Sequence, residues 1–235
     1  MPETSGTGNH KLKAVIFDMD NTLFEFVDAQ VKGCKAVVDR LGAGNKIDLF
    51  DYFLREVHDF EDYENISDYM HNLGIHDPNA FFDCCASYDE AKLSSLRPYD
   101  GIRECLQKLK QAGLKLAVVT NANRANAAAR LEITGLLPFF DLVVPSEATG
   151  KKKPDPEPVR FALEMLGVKP DEALFIGDSL ARDIAAGKAS GVLTAYAAYG
   201  DKNFNEGSEA KADFVLSHAD HICRLMVNRF SVACR

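Results

Sequence analysis

The pattern of apolar and polar positions predicts a chain in which short strands alternate with helices. Short runs rich in β-branched residues are typical of buried strands, and apolar residues that recur every three or four positions are typical of helices. This alternation predicts a doubly wound, mostly parallel Rossmann-like α/β sheet with helices on both faces. The predicted strands are 14–17, 114–119, 142–144, 173–176, 192–195 and 214–216, and the helices that accompany them are 102–111, 124–134, 158–166, 180–189 and 219–230.

The connection between the first two predicted strands breaks the alternation. It is rich in Phe and Tyr and carries helical patterns throughout, over 26–41, 47–57, 61–73 and 77–93. A dozen or more residues suffice to connect two parallel strands, and this connection is several times longer. We therefore predict an α-helical subdomain, residues 25–97, inserted into an α/β core of residues 11–24 and 98–235, with residues 1–10 as a flexible polar tail.

Composition and charge narrow the function. The 235 residues carry a net charge of −8, which argues against nucleic-acid binding because no basic face is present to neutralise phosphates. No apolar run reaches the length of a membrane span, and residues 1–10 lack the apolar segment of a secretory signal. The six cysteines form no Cys-x-x-Cys pair, which favours reduced thiols. We expect a cytoplasmic protein, monomeric or weakly homodimeric, without a membrane partner.

Two acidic residues directly follow the first predicted strand. Asp18 and Asp20 are separated by one residue, so their side chains would point to the same side if the strand continued. Two carboxylates this close repel each other unless a cation or a shared proton compensates them. The pair therefore predicts a metal site, an acid/base pair, or both, and a solvated turn is the alternative.

Polar residues also follow three further strands, at 120–123, 150–156 and 177–183. Open α/β sheets bind their ligands at the carboxyl ends of the strands, so we expect all four clusters to lie at one site. Their chemistry suits phosphoryl transfer. A carboxylate can attack phosphorus, a second acid can transfer protons, and carboxylates can hold Mg²⁺. Hydroxyl, backbone N–H and lysine groups can bind the remaining phosphate oxygens.

These residues resemble the four motifs of the haloacid dehalogenase superfamily, specifically its phosphatase branch of the phosphoglycolate phosphatase type. The motifs occur in order between residue 13 and about residue 191, as Asp-Met-Asp-Asn-Thr-Leu, Val-Val-Thr-Asn, Lys-Lys-Pro-Asp-Pro and Ile-Gly-Asp-Ser-x-x-x-Asp. The resemblance implies that the inserted helices are the family's mobile cap, placed between the first and second motifs. It also implies a Mg²⁺-dependent phosphatase that acts on a small phosphorylated metabolite through an aspartyl-phosphate intermediate. Phosphoglycolate, nucleoside monophosphates and sugar phosphates are all open as substrates.

The resemblance assigns the acidic residues to catalysis and to Mg²⁺. Asp18 would be the nucleophile and a metal ligand, and Asp20 the general acid/base, which also gives its backbone carbonyl to the metal. Asp178 would be a metal ligand, and Asp183 would orient the groups around the metal.

The phosphate group would be bound by residues of the second and third motifs. The resemblance implies contacts from Thr120 and from the backbone N–H of Asn121, with Lys153 bridging phosphate and nucleophile. Lys151 and Lys152 are expected to be solvated.

Other residues of these segments receive no functional role. Arg124, Arg130 and Arg182 are interpreted as helix-surface residues. Substrate specificity is expected to come from cap side chains, for which the sequence offers several aromatic or histidine candidates: Tyr52, Phe53, His58, Tyr63 and Tyr69.

Three other functions use related residues. A phosphomutase needs the same residues as a phosphatase and differs in its cap. A haloacid dehalogenase lacks the second acid because halide needs no proton, so Asp20 argues against it. A phospho-accepting signalling module also combines acids, a hydroxyl and a lysine, but it needs neither an inserted cap nor the Asp18/Asp20 pair.

Overall fold

The computed structural model describes residues 12–202 and 209–232, so the predicted tail at 1–10 and Cys234 lie outside the described residues. The chain divides into two compact units. One contains the residues up to Phe24 together with those from Pro98 onward, and the other is Glu25–Arg97. Within the described residues, every helix is too short or too polar to cross a lipid bilayer.

The first unit is built on a parallel sheet, which confirms the predicted α/β fold. The described residues form six strands in the order β3-β2-β1-β4-β5-β6, and each neighbouring pair is parallel. The order reverses direction between β1 and β4, where doubly wound sheets open a crevice for ligands. The strands are β1 Ala14–Phe17, β2 Lys115–Val119, β3 Leu142–Val144, β4 Ala173–Gly177, β5 Leu193–Ala197 and β6 Phe214–Leu216.

The described helices agree with the sequence prediction to within a few residues at each end. The helical unit holds α1 Phe26–Leu41, α2 Lys46–Leu54, α3 Glu64–Asn72 and α4 Pro78–Ser95. The unit with the sheet holds α5 Ile102–Gln111, α6 Arg124–Ile133, α7 Glu157–Leu166, α8 Ala185–Ser190 and α9 His221–Phe230.

One helix differs from its prediction. The sequence predicts a single helix over 180–189, but a π-helical turn, Leu180–Ile184, precedes α8. The backbone N–H groups of Asp183 and Ile184 both donate to the carbonyl oxygen of Ser179, at 2.9 and 3.1 Å. This widened turn directs the Asp183 carboxylate back to the N–H of Ser179, at 3.0 Å.

The sheet is buried on both of its faces. All four residues of β1 are inaccessible to solvent. On one face, alternate residues of β1, β2 and β4 pack against α7 and α8 in a single apolar cluster. A strand buried on both sides is rigid, which makes its carboxyl end a firm base for a functional site.

The helical unit has an apolar core of its own. Phe53 stacks on Tyr88 with ring centroids 5.3 Å apart, and Gly33 lets α1 approach α4 closely, since a Cβ there would lie 2.7 Å from Tyr88 Cδ2. Phe53 and Tyr69 are 2% exposed and belong to this core. These two specificity candidates therefore act in packing.

The cysteines among the described residues form no disulfide. Sγ of Cys105 on α5 lies 3.0 Å from Sγ of Cys223 on α9.

Candidate active site

Asp18 is positioned by the end of β1. Its backbone N–H donates to the carbonyl oxygen of Ile176 at 2.8 Å, which ties it to the end of β4 at the point where the strand order reverses. The strand ends at Phe17, and the chain then turns, with Asn21 in the left-handed region at φ 57°. The strand therefore does not continue through Asp18 and Asp20, and the condition under which their side chains would point to the same side is not met. Asn tolerates the left-handed conformation that this turn requires.

Lys153 lies at the centre of the charged groups. Its Nζ contacts Oδ1 of Asp18, lies 2.7 Å from Oδ1 of Asp183 and donates to the carbonyl oxygen of Val119 at 2.8 Å. The Lys153 side chain is 2% exposed. One buried ammonium therefore links the end of β2 to two carboxylates that follow β1 and β4.

Three buried carboxylates converge beside this lysine. Oxygen atoms of Asp18, Asp178 and Asp183 lie within 4.8 Å of one another. The hydroxyl oxygen of Thr22 lies 3.4 Å from both Oδ2 of Asp18 and Oδ1 of Asp178. Gly177 allows this convergence, because a Cβ there would lie 2.4 Å from the Cβ of Asp183.

The pKa values of the cluster reflect burial and crowding. Burial raises the pKa of Asp18 to about 6, opposed by Lys153 and reinforced by the charge of Asp183. Burial and the charges of Asp18 and Asp183 raise the pKa of Asp178 well above its usual value of 3.8, although Arg182 and Lys153 oppose the shift. Burial alone would lower the pKa of Lys153, but Asp18 and Asp183 outweigh it and the net shift is upward. The cluster holds more negative charge than one lysine balances.

The donor set fits a small divalent cation. Mg²⁺ prefers carboxylate oxygens and keeps further positions for water and phosphate oxygens. Asp18, Asp178 and Asp183 supply buried carboxylate oxygens close enough to share one ion, and the excess negative charge favours a divalent cation. The side chain of Asp20 is not part of this group.

The second motif forms a compact turn after β2. Thr120 is buried, and its hydroxyl oxygen accepts from the N–H of Ala122 at 3.1 Å. The side chain of Asn121 makes two bonds to the backbone of Lys153: Nδ2 donates to the carbonyl oxygen at 3.0 Å, and Oδ1 accepts from the N–H at 2.8 Å. Sequence reasoning missed this side-chain role, because the two residues are 32 positions apart.

Arg130 was interpreted from sequence as a surface residue, and this is wrong. Its side chain is 1% exposed, and Nη1 lies 2.5 Å from Oδ2 of Asp20. The helical spacing of residues along α6 indicates that Arg130 is buried, because Ala127 and Leu131 lie on the same side of the helix and are also buried.

The other basic residues agree with their predictions. Lys151, Lys152 and Arg124 are exposed, and Arg182 is partly exposed. Only Lys153 of the lysine run therefore enters the buried cluster.

Comparisons with known proteins identify the family to which the chain belongs. A family model described as haloacid dehalogenase-like hydrolase matches residues 12–191. The phosphoglycolate phosphatase of Aquifex aeolicus (strain VF5) is 40% identical over 141 residues, covering 60% of this chain and 64% of that protein. The glyceraldehyde 3-phosphate phosphatase of Methanocaldococcus jannaschii is 32% identical over 204 residues, covering 78% of this chain and 83% of that protein.

Solved structures share the fold. A Thermotoga maritima protein provisionally assigned as β-phosphoglucomutase has a TM-score of 0.78 at 25% identity. The match covers 92% of this chain and 98% of that one.

Proposed function

Because the chain belongs to the haloacid dehalogenase-like hydrolase family, we propose that it is a Mg²⁺-dependent phosphatase that hydrolyses small phosphate monoesters through a phosphorylated aspartate. The observation that carries the proposal is the buried group formed by Asp18, Lys153 and Asp183 at the carboxyl end of the sheet. A carboxylate held by an ammonium beside further carboxylates has the composition of a phosphoryl-transfer site.

In the first half-reaction, a carboxylate oxygen of Asp18 attacks phosphorus and the bond to the leaving oxygen breaks. Asp20 donates a proton to that oxygen, so an alcohol leaves and Asp18 carries the phosphoryl group. In the second half-reaction, Asp20 takes a proton from water as the water oxygen attacks phosphorus. Inorganic phosphate leaves and the Asp18 carboxylate is restored.

Positive charges and hydrogen-bond donors stabilise the phosphate oxygens in both half-reactions. Lys153 holds Asp18 in place and offers its positive charge to a phosphate oxygen, while Thr120 and the backbone N–H of Asn121 bind other oxygens. Asp18, the backbone carbonyl of Asp20 and Asp178 would hold the metal, with Asp183 supporting them. Bound Mg²⁺ supplies positive charge that draws the phosphate in and neutralises it.

The substrate class follows from the relatives and from the inserted unit. The named relatives act on phosphoglycolate and on glyceraldehyde 3-phosphate, both small phosphate monoesters. We assign residues 25–97 as the cap that selects among such substrates, and of the five aromatic and histidine candidates Tyr52, His58 and Tyr63 are at least partly exposed.

The test is phosphate release from p-nitrophenyl phosphate and from a panel of phosphorylated small metabolites, with Mg²⁺ and with excess chelator. We expect catalytic turnover that depends on Mg²⁺ and is lost in Asp18→Asn. This variant should stay folded, because the amide is close in size and relieves repulsion among the carboxylates. Turnover by Asp18→Asn, or none by the wild-type chain on any monoester, would refute the proposal.

A phosphomutase is the second candidate, because the Thermotoga maritima structure covers nearly the whole chain and its protein carries that assignment. A mutase returns the phosphoryl group to a sugar, whereas a phosphatase passes it to water. Inorganic phosphate that accumulates with each turnover supports the phosphatase, and isomerised sugar phosphate without phosphate release supports the mutase.

A further inference from the structure

Arg130 occupies an unusual position for an arginine. Its side chain is the largest of the fully buried ones in the described residues, and it lies on the inward side of α6 among Ala127, Leu131 and Thr134. Burying a charge is costly unless a partner compensates it. Here Nη1 lies 2.5 Å from Oδ2 of Asp20, whose side chain is 22% exposed.

The ion pair is not explained by stability alone. Buried ion pairs are often no more stable than apolar side chains of similar volume, because desolvation offsets the charge attraction. A leucine or methionine would fill the same space beside Ala127 and Leu131 without this cost. What an apolar residue could not do is hold the carboxylate of Asp20.

The contact constrains Asp20 in a specific way. Asp20 lies in the segment that follows β1, where the backbone conformation does not by itself select one side-chain rotamer. A guanidinium is charged throughout the physiological range and donates in a planar, fixed geometry. Its bond to Oδ2 therefore restricts the orientation of the Asp20 carboxylate.

The position of α6 adds to the constraint. The helix begins directly after the turn that contains Thr120 and Asn121, and the side chain of Asn123 caps it by accepting from the N–H of Asn126 at 2.8 Å. Helix α6 therefore starts at the turn assigned to phosphate binding, and it carries Arg130, which contacts the residue assigned to proton transfer.

We propose that Arg130 is a positioning residue that holds the Asp20 carboxylate in the orientation needed for proton transfer to the leaving oxygen. This inference rests on the proposed function, in which Asp20 is the general acid. It predicts that loss of Arg130 affects the substrates that depend most on proton transfer.

The test compares Arg130→Met, Arg130→Lys and a control, Arg103→Met. Arg103 on α5 also braces α6, since its guanidinium donates to the carbonyl oxygens of Thr134 and Gly135 at 2.7 and 3.0 Å, but no contact to Asp20 accompanies these bonds. It therefore controls for general loosening of the helix. Each variant is assayed for kcat and KM on p-nitrophenyl phosphate, a good leaving group, and on glycerol phosphate or another alkyl phosphate that the wild type hydrolyses.

For Arg130→Met we expect kcat/KM on the alkyl phosphate, which reports the steps up to phosphorylation of Asp18, to fall by about 10²-fold, as for a misplaced catalytic group. The fall on p-nitrophenyl phosphate should be at least about tenfold smaller, since that leaving group needs less protonation. Arg130→Lys should recover part of the loss on the alkyl phosphate. Arg103→Met should change both substrates by the same factor.

A double variant separates positioning from packing. If Arg130 acts through Asp20, adding Arg130→Met to Asp20→Asn should lower kcat/KM on the alkyl phosphate no further. Equal losses on both substrates, or fully multiplied losses in the double variant, would overturn the proposal. If circular dichroism shows that Arg130→Met does not fold, Arg130→Lys is used in its place. A larger loss on the alkyl phosphate than on p-nitrophenyl phosphate then supports the proposal, and equal losses overturn it.

The proposal and the proposed function fail separately. If Asp20→Asn loses the same factor of kcat/KM on both substrates, the acid role of Asp20 is wrong whatever Arg130 does, because kcat/KM reports only the steps up to phosphorylation of Asp18. If Asp20→Asn shows the leaving-group dependence and the Arg130 variants do not, only the positioning role is wrong.

Discussion

The carboxamide of Asn121 holds the backbone of Lys153 at both of its polar groups. Nδ2 donates to the carbonyl oxygen at 3.0 Å, and Oδ1 accepts from the N–H at 2.8 Å. The Lys153 side chain in turn donates to the carbonyl oxygen of Val119, two residues before Asn121. The last residue of β2 therefore binds the ammonium of the lysine that contacts Asp18, and the turn after β2 binds its backbone.

Replacing Asn121 should disturb Lys153 without removing it. We expect Asn121→Ala to lower kcat on p-nitrophenyl phosphate by about 10- to 100-fold, because the ammonium loses its fixed position. Asn123→Ala, two residues away, removes the cap of α6 and should cost about 1 kcal/mol of stability with little effect on kcat. Steady-state kinetics and thermal unfolding of both variants test this. If kcat of Asn121→Ala equals that of the wild type, the Asn121 contact is not needed for catalysis.

Replacing Gly177 with alanine should lower both activity and stability, although it adds only one methyl group. A Cβ at this position would lie 2.4 Å from the Cβ and 2.6 Å from Oδ2 of Asp183, so Gly177→Ala must displace that carboxylate. We expect a loss of kcat of at least about 10-fold, together with destabilisation of about 1–3 kcal/mol from overpacking.

The matched control is Gly187→Ala, whose Cβ would lie 2.6 Å from Cγ2 of Thr194. It should destabilise the protein to a similar degree with kcat almost unchanged. Equal loss of kcat in both variants would mean that the effect of Gly177→Ala comes from general instability.

Much of the fold follows from local sequence pattern. The apolar run 14–17 and the helical period of 26–41 predict β1 and α1 at their observed bounds, because strong periodicity and a terminal glycine at 42 agree. The acidic and lysine residues that converge at the site also follow from motif order along the chain.

Two features that the sequence did not predict have different causes. The period of 180–189 is that of an ordinary helix, and the bonds from Asp183 and Ile184 to Ser179, four and five residues earlier, widen its first turn. The spacing on α6 indicates that Arg130 is buried, but its partner Asp20 is 110 positions away. A single sequence leaves little trace of which residue such a buried charge contacts.

Asp213 gives a test of pH dependence away from the site. Oδ2 accepts from the N–H and hydroxyl of Thr194, at 2.8 and 3.0 Å, and Oδ1 lies 2.5 Å from Nζ of Lys188. Burial would raise the pKa of Asp213, but the bonds from Lys188 and Thr194 outweigh it and hold the pKa below 3.8. Folding therefore favours the ionised form. Its stabilisation is complete above the unfolded pKa of about 3.9 and is lost as pH falls through the lower folded value.

We expect Asp213→Asn to lower the melting temperature at pH 7 and to approach the wild type as pH falls below about 4. Asp39→Asn removes an exposed pair with Lys35 and should change little at any pH. Melting curves between pH 7 and pH 3 test both, and a difference for Asp213→Asn that grows on acidification would contradict the assignment.

The metal assignment predicts a change in Mg²⁺ dependence. Asp178→Asn should raise the Mg²⁺ concentration for half-maximal activity by at least about 10-fold, and excess chelator should abolish wild-type activity until Mg²⁺ is restored. Asp141→Asn, whose carboxylate bonds to Leu116 and Lys110 and lies outside the cluster, should leave that concentration unchanged. Calorimetric titration with Mg²⁺ measures binding independently of turnover, and unaltered binding by Asp178→Asn would remove Asp178 from the metal site.

The central claim is that Asp18 carries the phosphoryl group during turnover. The direct measurement is to mix the enzyme with Mg²⁺ and saturating p-nitrophenyl phosphate, quench in acid within the first turnovers, and map the modification by mass spectrometry. We predict one phosphoryl group on the peptide that contains Asp18, located at that residue, and no modification in Asp18→Asn. Phosphate on another residue would contradict it, and so would turnover by Asp20→Asn, in which the second half-reaction is slowed, without any phosphorylated enzyme.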